Sequence, residues 1–314
     1  MLENELSNRT ERHPVVSLLL ILIIVGLGFI IVGPLIGFLF ALPFYPGSMM
    51  ELASSLQAPS DNPEIKIPLY VIQGFATFIG LIVGPAWFLS TEKKTIKEFF
   101  TTNTLGALPV MITVVIVIVF MAVNSIFIEW NSSFQFPEFA KEFEAWAREK
   151  EDLAAEMTKF LTQFDSVYQV MLALFVIAVL PAFGEEIVFR GIIQNQLFRA
   201  TSNKHVAIWF AAFLFSAIHF QFFGFVPRLL LGALFGYLYY WSGSLWFAVI
   251  AHFVNNGFSV LAMYFYQRGT VDYDLESPEA VPATVIIFSS LLTMALLYYF
   301  YKYFENRKPH IDTL

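Results

Sequence analysis

Two adjacent glutamates, an arginine, two histidines and an asparagine stand inside apolar runs where charge is expensive. Glu185 and Glu186 are the only acidic residues, of 25, that fall well within such runs, and His219 and His252 are the only histidines, of five. Ionisable groups at membrane depth mark functional sites by default. Glu186 and Arg190 stand four apart with the acid first, so one helical face carries an ion pair, while Glu185 points about 100° away from it. Phe215 and His219 share a helical face, as do His252 and Asn256. Pro181, just upstream of the acids, removes a backbone donor and bends the helix there. A carboxylate without an ion-pair partner is able to take a proton from water. Imidazole and amide groups are able to donate hydrogen bonds to developing negative charge. Glu185, His219 and His252 also form an alternative set of zinc ligands with a position open for water. The HExxH spacing of common zinc proteases is absent, so the motif itself does not argue for metal.

The elements that position these residues follow from composition. The chain of 314 residues is 57% hydrophobic and 14% charged, with mean hydropathy +0.66. An average soluble domain carries roughly 25% charged residues. Spans are expected at about 15 to 44, 67 to 90, 107 to 128, 167 to 189, 205 to 223, 226 to 242, 244 to 265 and 282 to 303. Such long apolar runs satisfy their backbone in lipid only as helices. The fold class is therefore all-α, a polytopic transmembrane bundle of about eight helices. The first span is expected to be an uncleaved anchor, because no small-residue cleavage site follows it. The sixth and seventh spans, joined at Ser242-Gly243-Ser244, are readable as a re-entrant pair. With no cysteine, disulfides and thiolate zinc sites are excluded. The net charge of −7 resides in loops and gives no sign of a nucleic-acid partner.

Lysine and arginine in the short loops set the expected orientation. With both termini cytoplasmic, Arg9, Arg12, Lys93, Lys94, Lys97, Arg199, Lys204, Lys302, Arg307 and Lys308 all fall inside, whereas the opposite short loops hold Lys66, Arg228 and Arg268. This places Glu185 near the cytoplasmic end of the fourth span. Four regions result: N-terminal helices (1–128), an extramembrane insert (129–166), a core carrying the polar residues (167–265), and a C-terminal loop, span and tail (266–314). In the insert, Phe136, Phe139, Phe143, Trp146, Leu153, Met157, Phe160 and Phe164 recur at helical spacing among charged residues. An amphipathic helix or helical pair is expected there, either lying on the outer membrane surface or packed over the bundle as a lid.

The ordered set EExxxR (Glu185, Glu186, Arg190), FxxxH (Phe215, His219) and HxxxN (His252, Asn256) resembles the CPBP family of intramembrane proteases, which includes CAAX prenyl endopeptidases and bacterial Abi-type proteins. The resemblance covers roughly residues 165 to 262. It implies that Glu185, assisted by His219, activates water for attack on a peptide carbonyl without a cofactor, and that His252 and Asn256 form the oxyanion hole. Glu186 and Arg190 then hold the site's shape or engage substrate, and Phe215 packs. The implied partners are a peptide or protein substrate, lipidated in the prenyl endopeptidases, and membrane lipid. The expected location is the plasma (inner) membrane of a bacterium. Two other classes stay open. A transporter or proton relay also places Glu, His and Asn in a bundle, but the N-terminal spans carry no comparable acids. A non-catalytic scaffold or immunity-type protein would keep the fold without needing Glu185.

Overall fold

Every regular element of the computed structural model, which describes residues 12–101, 105–271 and 281–307, is helical. Arg9, Lys308 and His310 lie outside the described residues, as does the 272–280 part of the C-terminal region. In chain order the main helices are α1 (Pro14–Phe44), α2 (Pro63–Thr91), α3 (Ala107–Ser132), α4 (Lys141–Thr162), α5 (Val167–Thr201), α6 (Lys204–Ala217), α7 (Phe222–Ser242), α8 (Leu245–Gln267) and α9 (Ala283–Glu305). Seven of them, all but α4 and α6, are long and apolar enough to cross a membrane. The chain is an all-α polytopic bundle. α7 and α8 are full-length helices about a left-handed Gly243 (φ 67°), so the re-entrant alternative is set aside.

Two spans depart from their expected limits. α5 does not stop at 189 but continues to Thr201, because Arg190, the charge that marked its end in the sequence, is 1% exposed and paired inside the bundle. Glu185 therefore sits in mid-helix. α6 has only 14 residues, about 21 Å of rise against a hydrocarbon core of about 30 Å. Beyond its end the chain passes His219 and turns back at Phe220, whose φ of 53° is left-handed.

Three helices widen into π turns just ahead of a proline: Gly28–Val32 before Pro34 in α1, Ile79–Val83 before Pro85 in α2, and Leu174–Val179 before Pro181 in α5. A helical proline cannot donate to the carbonyl four residues back and crowds it. The wider turn relieves that conflict while most of the ladder continues. α1 and α2 meet where Gly28 faces Gly80, and a Cβ on Gly28 would stand 2.8 Å from the Gly80 Cα. Small residues thus let the two backbones touch.

Helix ends meet in an alternating pattern. Arg12 approaches Glu92 at one end (3.6 Å), and Ser244 Oγ donates to Thr101 O there (2.7 Å). At the other end Lys66 Nζ donates to Gln163 O (2.8 Å), and Asn131 bonds the start of α7. The insert is one long helix, α4, after a short turn at Glu138–Ala140. It packs on the bundle: Phe160 and Leu161 are buried beside Tyr70, whose hydroxyl donates to Leu161 O. Phe139, Trp146 and Leu153, seven apart, remain exposed.

Candidate active site

The centre of the site is built by α5 and α8, with α6 and α7 as walls. Glu186 is fully buried, and its Oε1 accepts from Arg190 Nη1 (2.8 Å) and meets His252 Nδ1 at 2.7 Å. Because an ionised carboxylate only accepts, the contact assigns the proton to His252 Nδ1. Arg190 also donates through Nη2 to Gly232 O (2.8 Å), and its guanidinium lies over the Phe215 ring at 4.6 Å. Gly232 permits this approach: a Cβ there would stand 3.0 Å from Ala212 Cβ and 3.2 Å from Phe215. The His252 ring stacks on Phe235 (5.4 Å, 24°) and meets Phe215 edge-on. Ion pair, hydrogen bonds and rings together leave this imidazole one orientation.

The outward nitrogen of His252 faces the chemistry. Nε2 stands 3.2 Å from Asn256 Nδ2 and 3.9 Å from Glu185 Oε2. Asn256 is held from the other side, its Nδ2 donating to Ile177 O at 3.0 Å. That carbonyl is available because Pro181, four residues on, has no N–H to offer it. The kink expected from Pro181 thus has a second consequence, an anchor for Asn256 on the neighbouring helix. Asn255 donates to Asn256 Oδ1 (3.1 Å) and completes the amide's partners.

Glu185 differs from its neighbour. Its side chain keeps 17% exposure, and beyond the 3.9 Å approach to His252 it engages no ion-pair partner among the described residues. His219 is partly exposed just beyond α6, its Nδ1 2.8 Å from Phe215 O and its ring 5.3 Å from Phe215. Phe215 therefore touches both imidazoles. The structure brings together Glu185, Glu186, Arg190, Phe215, His252 and Asn256, with His219 joined to them through Phe215. Among the described residues no three His, Cys, Asp or Glu side chains converge as a metal-binding group. Glu185, His219 and His252, the alternative zinc set, do not meet as such a group.

Residues 167–258 match the family model of the type II CAAX prenyl endopeptidase Rce1-like proteins. The match runs from the start of α5 into α8 and includes every residue of the three motifs. The protein YpbD of Bacillus subtilis (strain 168) is 29% identical to the chain over 109 residues, 33% of this chain and 53% of that protein. The chain thus spans about half the length of this curated relative. No solved structure matches. The seven apolar helices point to an integral membrane protein, and the family match lies over the helices that carry the three motifs.

The sequence reading missed four polar residues beside the site. Asn124 donates to Pro227 O (3.3 Å), and Asn131 donates to Phe222 O (3.1 Å) and accepts from Val226 N (2.8 Å). The signal was present: two asparagines seven apart on one face of an otherwise apolar helix. Arg228, counted in an outer short loop by its charge, donates to Gln221 Oε1 at 2.8 Å. The Arg228 charge acts on both Glu185 and His219.

Proposed function

We propose that the protein is an intramembrane endopeptidase that hydrolyses a peptide bond with water activated by Glu185. The observation that carries this reading is the contrast between two adjacent carboxylates. Glu186 is bonded to Arg190 and His252, whereas Glu185 stands free at the edge of the same cluster. A general base must reach water and keep a lone pair. Glu185 takes a proton from water as the oxygen attacks the substrate carbonyl carbon. Negative charge passes to the carbonyl oxygen. Asn256 Nδ2 turns from His252 Nε2 to donate to that oxygen, and His252, held at Nδ1 by Glu186, lines the same hole beside it. Glu185 then returns the proton to the leaving amine as the carbon–nitrogen bond breaks. His219, across Phe215, assists the approach of water. No cofactor enters any step.

The lipidated form of substrate has support in an apolar cleft of about 370 Å³ lined by Ile82, Ile96, Phe100, Phe183, Ile187 and Trp246. Phe183 and Ile187 belong to the same stretch of α5 as the two glutamates. On this reading the protein sits in a bacterial inner membrane with both termini inside, which puts Lys93, Lys94, Lys97 and Lys204 on the cytoplasmic side, and Lys97 lines the cleft. The test is cleavage of a prenylated fluorogenic peptide and of a peptide library by detergent-purified protein. Wild type is expected to cleave with or without a strong chelator, and Glu185→Gln and His219→Ala to lose cleavage. Loss on chelation with restoration by zinc would replace the glutamate mechanism. Intact peptides throughout, with the variants still supporting the cellular role, would replace the protease by a scaffold.

A further inference from the structure

His219 lies on the corner formed by residues 218–224, between α6 and α7. Because α6 is short, this corner places irregular backbone at membrane depth, where polar groups must be satisfied within the protein. The insert and the end of α3 meet that need. Asn131 spans the corner, donating to Phe222 O and accepting from Val226 N. Glu151 of α4 reaches the Phe223 backbone N–H and, at 3.5 Å, Gln221 Nε2. Burial pushes the Glu151 carboxyl up, against the opposing pull of the Arg228 charge and that backbone N–H. Arg148 places its guanidinium 4.1 Å over the Phe223 ring, and Phe136 packs 4.8 Å from Phe222. From the inner side the corner is tied by Ser216 Oγ to Phe225 O (2.7 Å).

We infer that the 129–166 insert is the positioning element of His219: Asn131, Arg148 and Glu151 clamp the corner from outside and fix where that imidazole stands. The inference rests on the reading of His219 as part of a peptidase site, and it gives the insert a task beyond covering the bundle. These three are positioning residues, since each acts on His219 through the corner backbone or the Phe223 ring. The insert bonds α2 and α8 separately, through Leu161, Thr162, Gln163 and Phe164 at the far end of α4, so the contacts at the corner form a set of their own.

The test uses the full chain in detergent with Asn131→Ala, Arg148→Ala, Glu151→Ala and Glu151→Gln. Amide hydrogen exchange across 218–226, the rate of diethyl pyrocarbonate modification of His219, and kcat and KM on a cleaved peptide are measured together. The alanine variants are expected to exchange faster at the corner and to expose His219 to faster modification. Their kcat should fall about 100-fold while KM stays within about twofold, as for a misplaced catalytic group. Exchange around Arg190 in α5 should stay as in wild type, which reports an intact bundle. Glu151→Gln keeps an acceptor for the Phe223 N–H and is expected to recover most of the kcat. A corner that exchanges as in wild type, or a loosened corner with unchanged kcat, overturns the inference. If wild type cleaves no peptide, the peptidase reading fails separately. Exchange and His219 modification then decide the clamp: acceleration supports it and wild-type values overturn it. If Asn131→Ala does not fold, Glu151→Ala carries the test, with Glu151→Gln separating loss of the acceptor from loss of the fold.

Discussion

Removing Glu186 separates what the buried ion pair does for stability from what it does for chemistry. Its Oε1 serves two donors, Arg190 Nη1 at 2.8 Å and His252 Nδ1 at 2.7 Å, and Arg190 is 1% exposed. Glu186→Ala leaves that guanidinium buried with only Gly232 O and ring faces as partners. Breaking one side of a buried pair costs about 3–5 kcal/mol. Glu186→Gln keeps an acceptor of the same shape but turns two charge-assisted bonds into weaker neutral ones, a loss of about 2 kcal/mol. The double variant Glu186→Leu with Arg190→Met removes both charges, and apolar replacement of a buried pair is neutral or stabilising by about 1–4 kcal/mol. Unfolding in detergent should therefore rank the double variant close to wild type and far above Glu186→Ala. Peptide cleavage should not follow that order. Without Glu186 nothing holds His252 Nδ1–H, and through it the ring that orients Asn256, so the double variant is expected to lose about 10²–10³ in kcat, the value of one oxyanion donor. A double variant that cleaves at the wild-type rate would refute the assignment of His252 through Glu186. A double variant as unstable as Glu186→Ala would refute the pairing argument.

Pro181→Ala restores a backbone N–H that competes for Ile177 O, the anchor of Asn256. Stability should rise while kcat falls, and the two are measured by unfolding in detergent and by peptide cleavage. In the insert, Arg148, the Phe136 N–H and Lys141 hold the Glu144 carboxyl down to about 2. A depressed carboxyl contributes stability above its ordinary value and loses it as pH falls through the depressed one. Protection of the α4 amides, corrected for the intrinsic pH dependence of exchange, should therefore be constant above pH 4.5 and fall between pH 4.5 and about 2, and Glu144→Gln should abolish that acid step.

The fold class and most helices were legible because lipid imposes long, uninterrupted apolar runs, and the site was legible because charged residues are rare inside them. Three things were not. The end of α5 was placed too early, since an arginine paired four residues back on its own helix looks the same in sequence as one snorkelling to the surface. The shortness of α6 was hidden because FQFFGF, residues 220–225, continues the apolar run while the backbone turns through Phe220. Hydropathy does not report a left-handed residue. The docking of the insert was undecided because an amphipathic stripe suits a lipid surface and a protein surface equally. The contacts divide it, with Phe160 and Leu161 buried and Phe139, Trp146 and Leu153 exposed.

The same features explain how the chain keeps so many polar groups at depth. Two of these groups take partners supplied by a local irregularity rather than by an added charge. Proline at 181 frees the Ile177 carbonyl for Asn256, and the interrupted α6 gives Asn131 a carbonyl and an N–H to bridge. A regular helix would have used those carbonyls and amides in its own ladder. The irregular turns therefore do two jobs at once: they bend the helices around a cavity and provide the hydrogen-bonding groups that make burial of its side chains tolerable. Glu185 lies outside this accounting. Among the described residues its carboxylate has no nearer ion-pair partner than His252 Nε2 at 3.9 Å, and Glu186 Oε2 beside it is buried without a hydrogen bond, a polar cost concentrated where groups are kept for chemistry.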